Sequence, residues 1–165
     1  MKMTEGDMKK IQEELDYRKG ELGQELRHTL KVAREQGDLS ENADYTAAKR
    51  ANNQNNSRIS YLENLLKNAS LIKENADPEV IGINSEVTLY IPEDDEEEVY
   101  KLVTSIRGDS TKGRISNESP LGKALMGHRT GDTVLVRVNA SYSYEALVRG
   151  VKRVEDDGSD DIRKY

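Results

Sequence analysis

Residues 45–69 have positions on one helix face that recur at alternating spacings of three and four, which is typical of a coiled-coil seam. These seam positions are Tyr45, Ala48, Asn52, Asn55, Ile59, Leu62, Leu66 and Ala69. An earlier set has compatible spacing and consists of Met8, Ile11, Leu15, Leu22, Leu26, Leu30 and Ala33. The two sets pair in antiparallel order, which predicts a helical hairpin with its turn centred on Leu39.

The first helix of this hairpin carries two glycines where the pairing slips by one residue, Gly20 and Gly23. Glycine costs about 1 kcal/mol in a helix interior, so we predict a break or kink there. Each arm of about 29 residues would extend roughly 40 Å at a rise of about 1.5 Å per residue. Asn52 and Asn55 lie opposite leucines, where they either fix the pairing register or dilute an exposed seam with polar groups.

Residues 74–165 alternate apolar and polar positions, as half-buried strands do. We expect strands at 87–91, 99–103, 133–138 and 144–148, with the acidic run 93–98 as a hairpin loop. Ser119, Pro120 and Gly127 have the spacing of a short helix with an N-cap, a first-turn proline and a terminating glycine. The predicted fold class is α+β: an N-terminal antiparallel α-helical coiled-coil hairpin, then a twisted, mainly antiparallel sheet with a short helix.

The charge distribution supports a boundary between these two parts. Residues 1–73 contain 13 basic and 12 acidic residues, whereas residues 74–165 contain 12 basic and 19 acidic ones. We expect a coiled-coil domain at 1–75, a sheet domain at 76–154 and a disordered acidic tail at 155–165. The acidic second half argues against broad nucleic-acid wrapping, which needs a basic footprint. We therefore expect no direct or sequence-specific DNA binding.

Composition narrows the class of protein further. The chain has no cysteine, which excludes disulfides and thiolate metal sites. No apolar run approaches the ~20 residues needed to span a bilayer, and the N-terminus lacks the apolar region of a signal peptide. We therefore expect a soluble, cytoplasmic protein with no membrane partner.

The acidic segment 37–45 interrupts both helical patterns at the expected turn. Asp38 and Glu41 have the spacing of a capping box, and Ser40 is an equally suitable N-cap. Alternatively, both carboxylates point outward as oxygen ligands for Mg²⁺. Because two carboxylates alone bind Mg²⁺ poorly, this interpretation needs a partner that supplies the other ligands of a phosphoryl-transfer site in trans.

Basic residues follow four of the seam positions by one residue and fall on one face of the hairpin: Arg27, Lys31, Arg34 and Lys49. We name these four residues the basic face. They could hold a phosphate backbone along the hairpin, or they could be an ordinary solvated helix flank. Their spacing supports both interpretations equally.

The run GDLSENADYTAAK at 37–49 resembles the tip signature of the bacterial GreA/GreB transcript-cleavage factors. Ala33-Arg34-Glu35, the run MTEG at 3–6 and the run EELDY at 13–17 fit as well, although Asp44 and Thr46 replace the family's usual Glu and His. The resemblance implies that Asp38 and Glu41 act in trans as catalytic carboxylates and share a Mg²⁺ with RNA polymerase. It also implies that the coiled coil enters the polymerase's secondary channel.

In that family the polymerase then cleaves the nascent RNA 3′ end of a backtracked complex. The resemblance therefore implies a cofactor of another enzyme, without hydrolase activity of its own, and we expect a monomer. The basic face would then lie near the RNA.

The run ISNESP at 115–120, followed by Gly127 and Gly131-Asp132, resembles a second signature of the GreA/GreB family. It implies an FKBP-like domain that docks at the rim of the polymerase channel. Glu118, Ser119 and Pro120 match the docking loop. Ser119-Pro120 is also a good helix start, and the same residues could do both.

Three alternatives stay open at this point. A paralogue of the same family could bind the polymerase channel and inhibit transcription, although the intact pair Asp38 and Glu41 favours cleavage. The chain could be a coiled-coil adaptor or chaperone that acts without polymerase. A prolyl isomerase is disfavoured because the sheet domain has no Phe or Trp to line a proline pocket.

Overall fold

The computed structural model describes residues 1–37 and 42–164, which form two compact units. The helical unit is Met8–Ala69, and the sheet unit combines Met1–Asp7 with Ser70–Lys164. The helices are α1 Glu5–Lys19, α2 Glu21–Glu35, α3 Ala43–Lys67 and α4 Pro120–Leu125. The strands are β1 Lys2–Met3, β2 Ser70–Leu71, β3 Ser85–Ile91, β4 Glu96–Val103, β5 Arg114–Ser116, β6 Thr133–Arg137 and β7 Ser143–Arg153.

The helical unit buries much of the seam that the spacing predicts. The buried apolar seam residues are Ile11, Leu15, Ala33, Ala48 and Leu62. The first helix is interrupted between α1 and α2, so the predicted break at Gly20 is confirmed. The backbone of Gly20, at φ −91° and ψ −104°, is not helical.

Asn55 on α3 compensates for this interruption. Carbonyls in the last turn of a helix lack an intrahelical partner, and that of Arg18 belongs to the last turn of α1. Asn55 Nδ2 donates a hydrogen bond to the Arg18 carbonyl oxygen at 3.1 Å, and Arg18 Nη1 donates to Asn55 Oδ1 at 3.0 Å. These two hydrogen bonds join the interrupted helix to α3. Because Asn55 is only 3% exposed, it is a buried structural contact rather than a solvated polar residue in the seam.

A charged cluster lies beside this contact. Glu14 Oε2 accepts from Arg18 Nε at 2.7 Å and from Arg58 Nε at 2.9 Å, and the Arg58 guanidinium lies over the Tyr61 ring. Burial raises the pKa of Glu14, but the hydrogen bonds from Arg58 and Arg18 outweigh it and hold the pKa below 4.5. Glu14 is therefore ionised at neutral pH and bridges two helices.

The sheet unit is a five-stranded sheet in the order β5-β4-β3-β7-β6, with β1 and β2 as a separate parallel pair. All neighbours in the larger sheet are antiparallel except β4 and β5. One face of the sheet packs against α4. The buried core consists of Ile81, Val87, Leu89, Ile91, Leu102, Leu125, Val134, Val136, Ala146 and Val148. The predicted α+β class and FKBP-like domain are confirmed.

The short helix α4 begins and ends as predicted. Ser119 is its N-cap, with Oγ accepting from the Gly122 amide at 3.1 Å, and Pro120 is its first residue. Gly127 follows with a φ of 82°. Gly122 permits close packing on β5, because a Cβ there would lie 2.0 Å from the Ser116 carbonyl oxygen.

One prediction about the sheet unit is wrong, and one strand was missed. The acidic run 93–98 is not all loop, because Glu96, Glu97 and Glu98 pair with β3 in the β4 ladder. The side chain of Glu97 forms an ion pair with Arg149 at 2.9 Å. The periodicity also did not reveal the short strand β5.

The expected disorder of the tail 155–165 is likewise not found up to Lys164. Ile162 is 6% exposed, and the Arg163 amide donates to the Ile106 carbonyl oxygen at 2.7 Å. Asp156 and Asp160 form ion pairs with basic side chains of the sheet unit. An acidic composition alone does not reveal these partners, which are remote in sequence.

We predict that Asn55→Ala lowers the free energy of unfolding by about 1–3 kcal/mol, because it leaves a buried carbonyl without its donor. Urea unfolding measures this change. Asn53→Ala, at an exposed position of the same helix, is the control and should stay within about 0.5 kcal/mol of the parent. Equal losses in the two variants would contradict the role of Asn55.

We predict that Glu14→Gln destabilises the chain in a pH-dependent way. Because the folded pKa of Glu14 is lowered, its stabilisation is complete above pH 4.5 and is lost as the pH falls through the lowered pKa. The difference from the parent in urea unfolding should therefore be largest near neutral pH and shrink in acid. The exposed neighbour variant Glu13→Gln is the control, and a Glu14→Gln difference that grew in acid would refute the ion-pair account.

Candidate functional site

The candidate site is the turn between α2 and α3. Helix α2 ends at Glu35, Gly37 has a φ of 130°, and α3 begins at Ala43. The predicted catalytic and metal-binding residues Asp38 and Glu41 lie outside the described residues. Their role therefore stays a prediction, and the geometry of the site comes from the residues on either side.

Asn42 holds the two arms together next to the acidic segment. Its side chain caps α3, with Oδ1 accepting from the Tyr45 amide at 3.0 Å. Its Nδ2 donates across the hairpin to the Ala33 carbonyl oxygen at 2.7 Å. One side chain thus satisfies an orphan donor at the start of α3 and a carbonyl near the end of α2.

This arrangement changes the balance between the two interpretations of the acidic segment. A capping box would assign the N-cap of α3 to Asp38 or Ser40, but that position is occupied by Asn42. The start of α3 therefore does not require either tip carboxylate for its cap. Sequence reasoning missed Asn42, although asparagine before an Ala-Asp pair is a recognisable N-cap signal.

The basic face is exposed in full. Arg27, Lys31, Arg34 and Lys49 are all exposed, and none forms an ion pair with a carboxylate of the described ranges. The guanidinium carbon of Arg34 lies 5.8 Å from the centre of the Tyr45 ring, an attractive cation–π geometry between α2 and α3. These cations are accessible to an anionic ligand, and their function stays a prediction.

The predicted docking residues combine a structural and an accessible part. Ser119 caps α4 and its hydroxyl donates to the Ser116 carbonyl oxygen at 2.6 Å, so its side chain is engaged within the sheet unit. Glu118 and Pro120 are exposed on either side of it. Docking on a partner through these residues remains a prediction.

The donor chemistry fits Mg²⁺ only in part. Carboxylate oxygens are suitable ligands, but an octahedral ion needs more of them than Asp38 and Glu41 provide. No group of three or more His, Cys, Asp or Glu residues that could hold a metal occurs among residues 1–37 and 42–164. Within the same ranges no helix has an apolar stretch of the length and character needed to cross a bilayer.

Comparison with known proteins identifies the family. A model described as "Transcription elongation factor, N-terminal" matches residues 1–71, and one described as "Transcription elongation factor, GreA/GreB, C-term" matches residues 75–153. The chain therefore belongs to the GreA/GreB family of transcription elongation factors.

Curated relatives agree with this assignment. Transcription elongation factor GreA of Geobacillus kaustophilus is 42% identical over 136 residues, which is 82% of this chain and 86% of that protein. The GreA of Bacillus licheniformis is 40% identical over 151 residues, or 91% and 94% of the two chains. A crystal structure of GreA factor homolog 1 of Thermus thermophilus is 29% identical, covers 92% of this chain and 97% of its own, and has a TM-score of 0.43. The GreA names do not favour the adaptor or isomerase alternatives.

We predict that Asn42→Ala weakens the start of α3 by about 1 kcal/mol, the usual cost of losing an N-cap. Hydrogen exchange at the Tyr45 amide should then be about fivefold faster. Asn42→Asp keeps an acceptor for that amide and loses only the donor to Ala33, so its exchange rate should remain closer to the parent. An unchanged rate in Asn42→Ala would show that the cap does not hold this turn.

Proposed function

We propose that this protein stimulates the cleavage of backtracked RNA by RNA polymerase. Its helical hairpin enters the secondary channel and brings Asp38 and Glu41 to the polymerase active site. The supporting observation is the cap by Asn42, which ties α2 to α3 beside the acidic segment and leaves α3 independent of the tip carboxylates. Membership of an elongation-factor family supplies the partner.

In this proposal the tip completes another enzyme's site. Asp38 and Glu41 would provide two carboxylate ligands to a Mg²⁺, and the polymerase would supply the others. When bound, the ion stabilises charge on the phosphodiester and lowers the pKa of a water. The chain itself is therefore not a hydrolase, and it works as a monomer in the cytoplasm together with polymerase.

Two surfaces of the chain support positioning in this proposal. The exposed basic face, close to the tip, offers cations to the phosphates of the extruded RNA 3′ end without reading its sequence. Glu118 and Pro120 flank the helix cap Ser119 and present an accessible docking loop to the polymerase rim. Each surface would help to orient the hairpin and the RNA in the channel. Positioning of this kind is the main contribution that a protein without its own reaction centre can make.

The test is RNA cleavage in a stalled, backtracked elongation complex. We expect the parent protein to accelerate cleavage and Asp38→Ala with Glu41→Ala to reduce the acceleration by about a hundredfold or more. Loss of even one outer-shell group of a metal site costs roughly 10–100-fold. The matched control removes two exposed carboxylates that flank the tip, Glu35→Ala with Asp44→Ala. It should retain most of the acceleration.

Two results would refute the proposal. One is unchanged RNA cleavage with the parent protein. The other is full acceleration by the Asp38→Ala, Glu41→Ala variant. Inhibition of multi-round transcription by the parent without any cleavage would instead identify a channel-blocking paralogue.

A further inference from the structure

The C-terminal strap, residues 155–164, lies beyond the part of the chain that the family model matches, which ends at residue 153. It packs on the sheet unit through buried Ile162 and through the backbone bond from Arg163 to Ile106. Three strap carboxylates face four cations from β4, β5 and the 3₁₀ turns between them. The carboxylates are those of Asp156, Asp160 and Asp161. The four cations are Lys101, Arg107, Lys112 and Arg114, and we name these four residues the covered cluster.

Charge pairs dominate the contacts between strap and cluster, together with a hydrogen bond from Arg107 Nη1 to the Asp160 carbonyl oxygen at 3.5 Å. Asp160 accepts from Lys101 Nζ at 2.5 Å and lies 3.4 Å from Arg114 Nη1. Asp161 lies 2.8 Å from Arg114 Nη2 and 3.4 Å from Lys112 Nζ. Asp156 pairs with Arg107 Nη1 at 3.0 Å.

The pKa values of two strap carboxylates, those of Asp156 and Asp161, are lowered by their neighbours. The hydrogen bond from Arg114 lowers the pKa of Asp161 to about 2. Burial opposes ionisation of Asp156, but a hydrogen bond from the Gly158 amide and the charge of Arg107 keep its pKa below the ordinary value of 3.8. Asp156 and Asp161 are therefore ionised at neutral pH and present negative charge to the covered cluster.

The covered cluster has more donor capacity than the strap uses. The Arg107 side chain is 5% exposed, and its Nη2 is buried without a hydrogen-bond partner in the described ranges. Arg107 also forms an ion pair with Asp7, which lies outside the strap, at 2.5 Å. The positive charge that the strap neutralises thus resides chiefly on Lys101, Lys112 and Arg114.

The outer end of this contact is open to solvent. The side chains of Asp161 and Lys112 are 64% and 54% exposed, and ion pairs at such positions are weak and screened by salt. A stronger polyanion can therefore compete for them. Guanidinium groups bind phosphate oxygens in the same forked geometry as carboxylates, so the phosphodiester backbone is a suitable competitor.

We propose that the covered cluster is a binding site for the phosphate backbone of single-stranded RNA, and that the acidic strap occupies and closes it in the free chain. The strap is an intramolecular mimic of the ligand. Only the choice of RNA as the polyanion rests on the proposed function. The test uses isolated RNA without polymerase, so its failure is distinguishable from failure of RNA cleavage.

The experiment measures binding of a labelled single-stranded RNA oligonucleotide by fluorescence anisotropy. The test variant is the full chain with Asp156→Asn, Asp160→Asn and Asp161→Asn. We expect it to bind RNA about tenfold more tightly than the parent at low salt. The plot of log affinity against log salt should be steeper by about 2, as three cations engage phosphates of a single strand.

The matched control changes net charge equally at another place. Glu93→Gln, Asp94→Asn and Asp95→Asn neutralise three carboxylates of the turn between β3 and β4. This control should bind RNA within about twofold of the parent, because charge far from the ligand is largely screened. Adding Lys101→Gln and Lys112→Gln to the test variant should abolish the gain.

Folding is checked by circular dichroism, and the milder variant Asp160→Asn with Asp161→Asn, which spares Asp156, should show a smaller gain of the same kind. Equal RNA binding by the test variant and its control would overturn the proposal. So would an unchanged RNA affinity, even if an acidic peptide bound to the chain.

Discussion

The register between the two arms of the helical hairpin is the constraint on which the placement of the acidic turn depends. A helix interrupted at Gly20 would otherwise leave its partner free to slide, because the interruption breaks the apolar repeat that sets the register. Asn55 removes this freedom by binding both the carbonyl and the side chain of Arg18. The ion pair between Glu14 and Arg58 adds a second contact between the two arms. Polar contacts thus fix the register in this part of the hairpin, where apolar packing fixes it in other parts.

A polar side chain also joins the two arms at the far end of the hairpin. Asn42 binds the carbonyl of Ala33 and caps α3 with one amide group, so it joins α2 to the start of α3. Ordering groups before they meet a ligand reduces the entropy lost on binding. Two carboxylates bind Mg²⁺ weakly alone, so a fixed spacing between the two arms matters most when a partner provides the remaining ligands.

The hairpin, the break at Gly20, four strands and the start of α4 could all be predicted from local spacing. The contacts that join remote residues could not. Glu14 and Arg58 are 44 positions apart, and no periodicity marks Arg58 as a buried partner. The strap was expected to be disordered because its acidity is visible in the sequence, whereas the cations that hold it come from separate strands and turns. At the tip, Asp38 and Ser40 are equally plausible caps by residue type, so the sequence did not single out Asn42, which caps α3.

The central claim is that the tip carboxylates supply ligands to a shared Mg²⁺, and the Mg²⁺ dependence of RNA cleavage tests it most directly. The measurement titrates Mg²⁺ in backtracked elongation complexes with and without the protein. The parent should lower the Mg²⁺ concentration for half-maximal cleavage, and Asp38→Asn with Glu41→Gln should return it to the value for polymerase alone. Stimulation by the parent with an unchanged Mg²⁺ requirement would contradict the account.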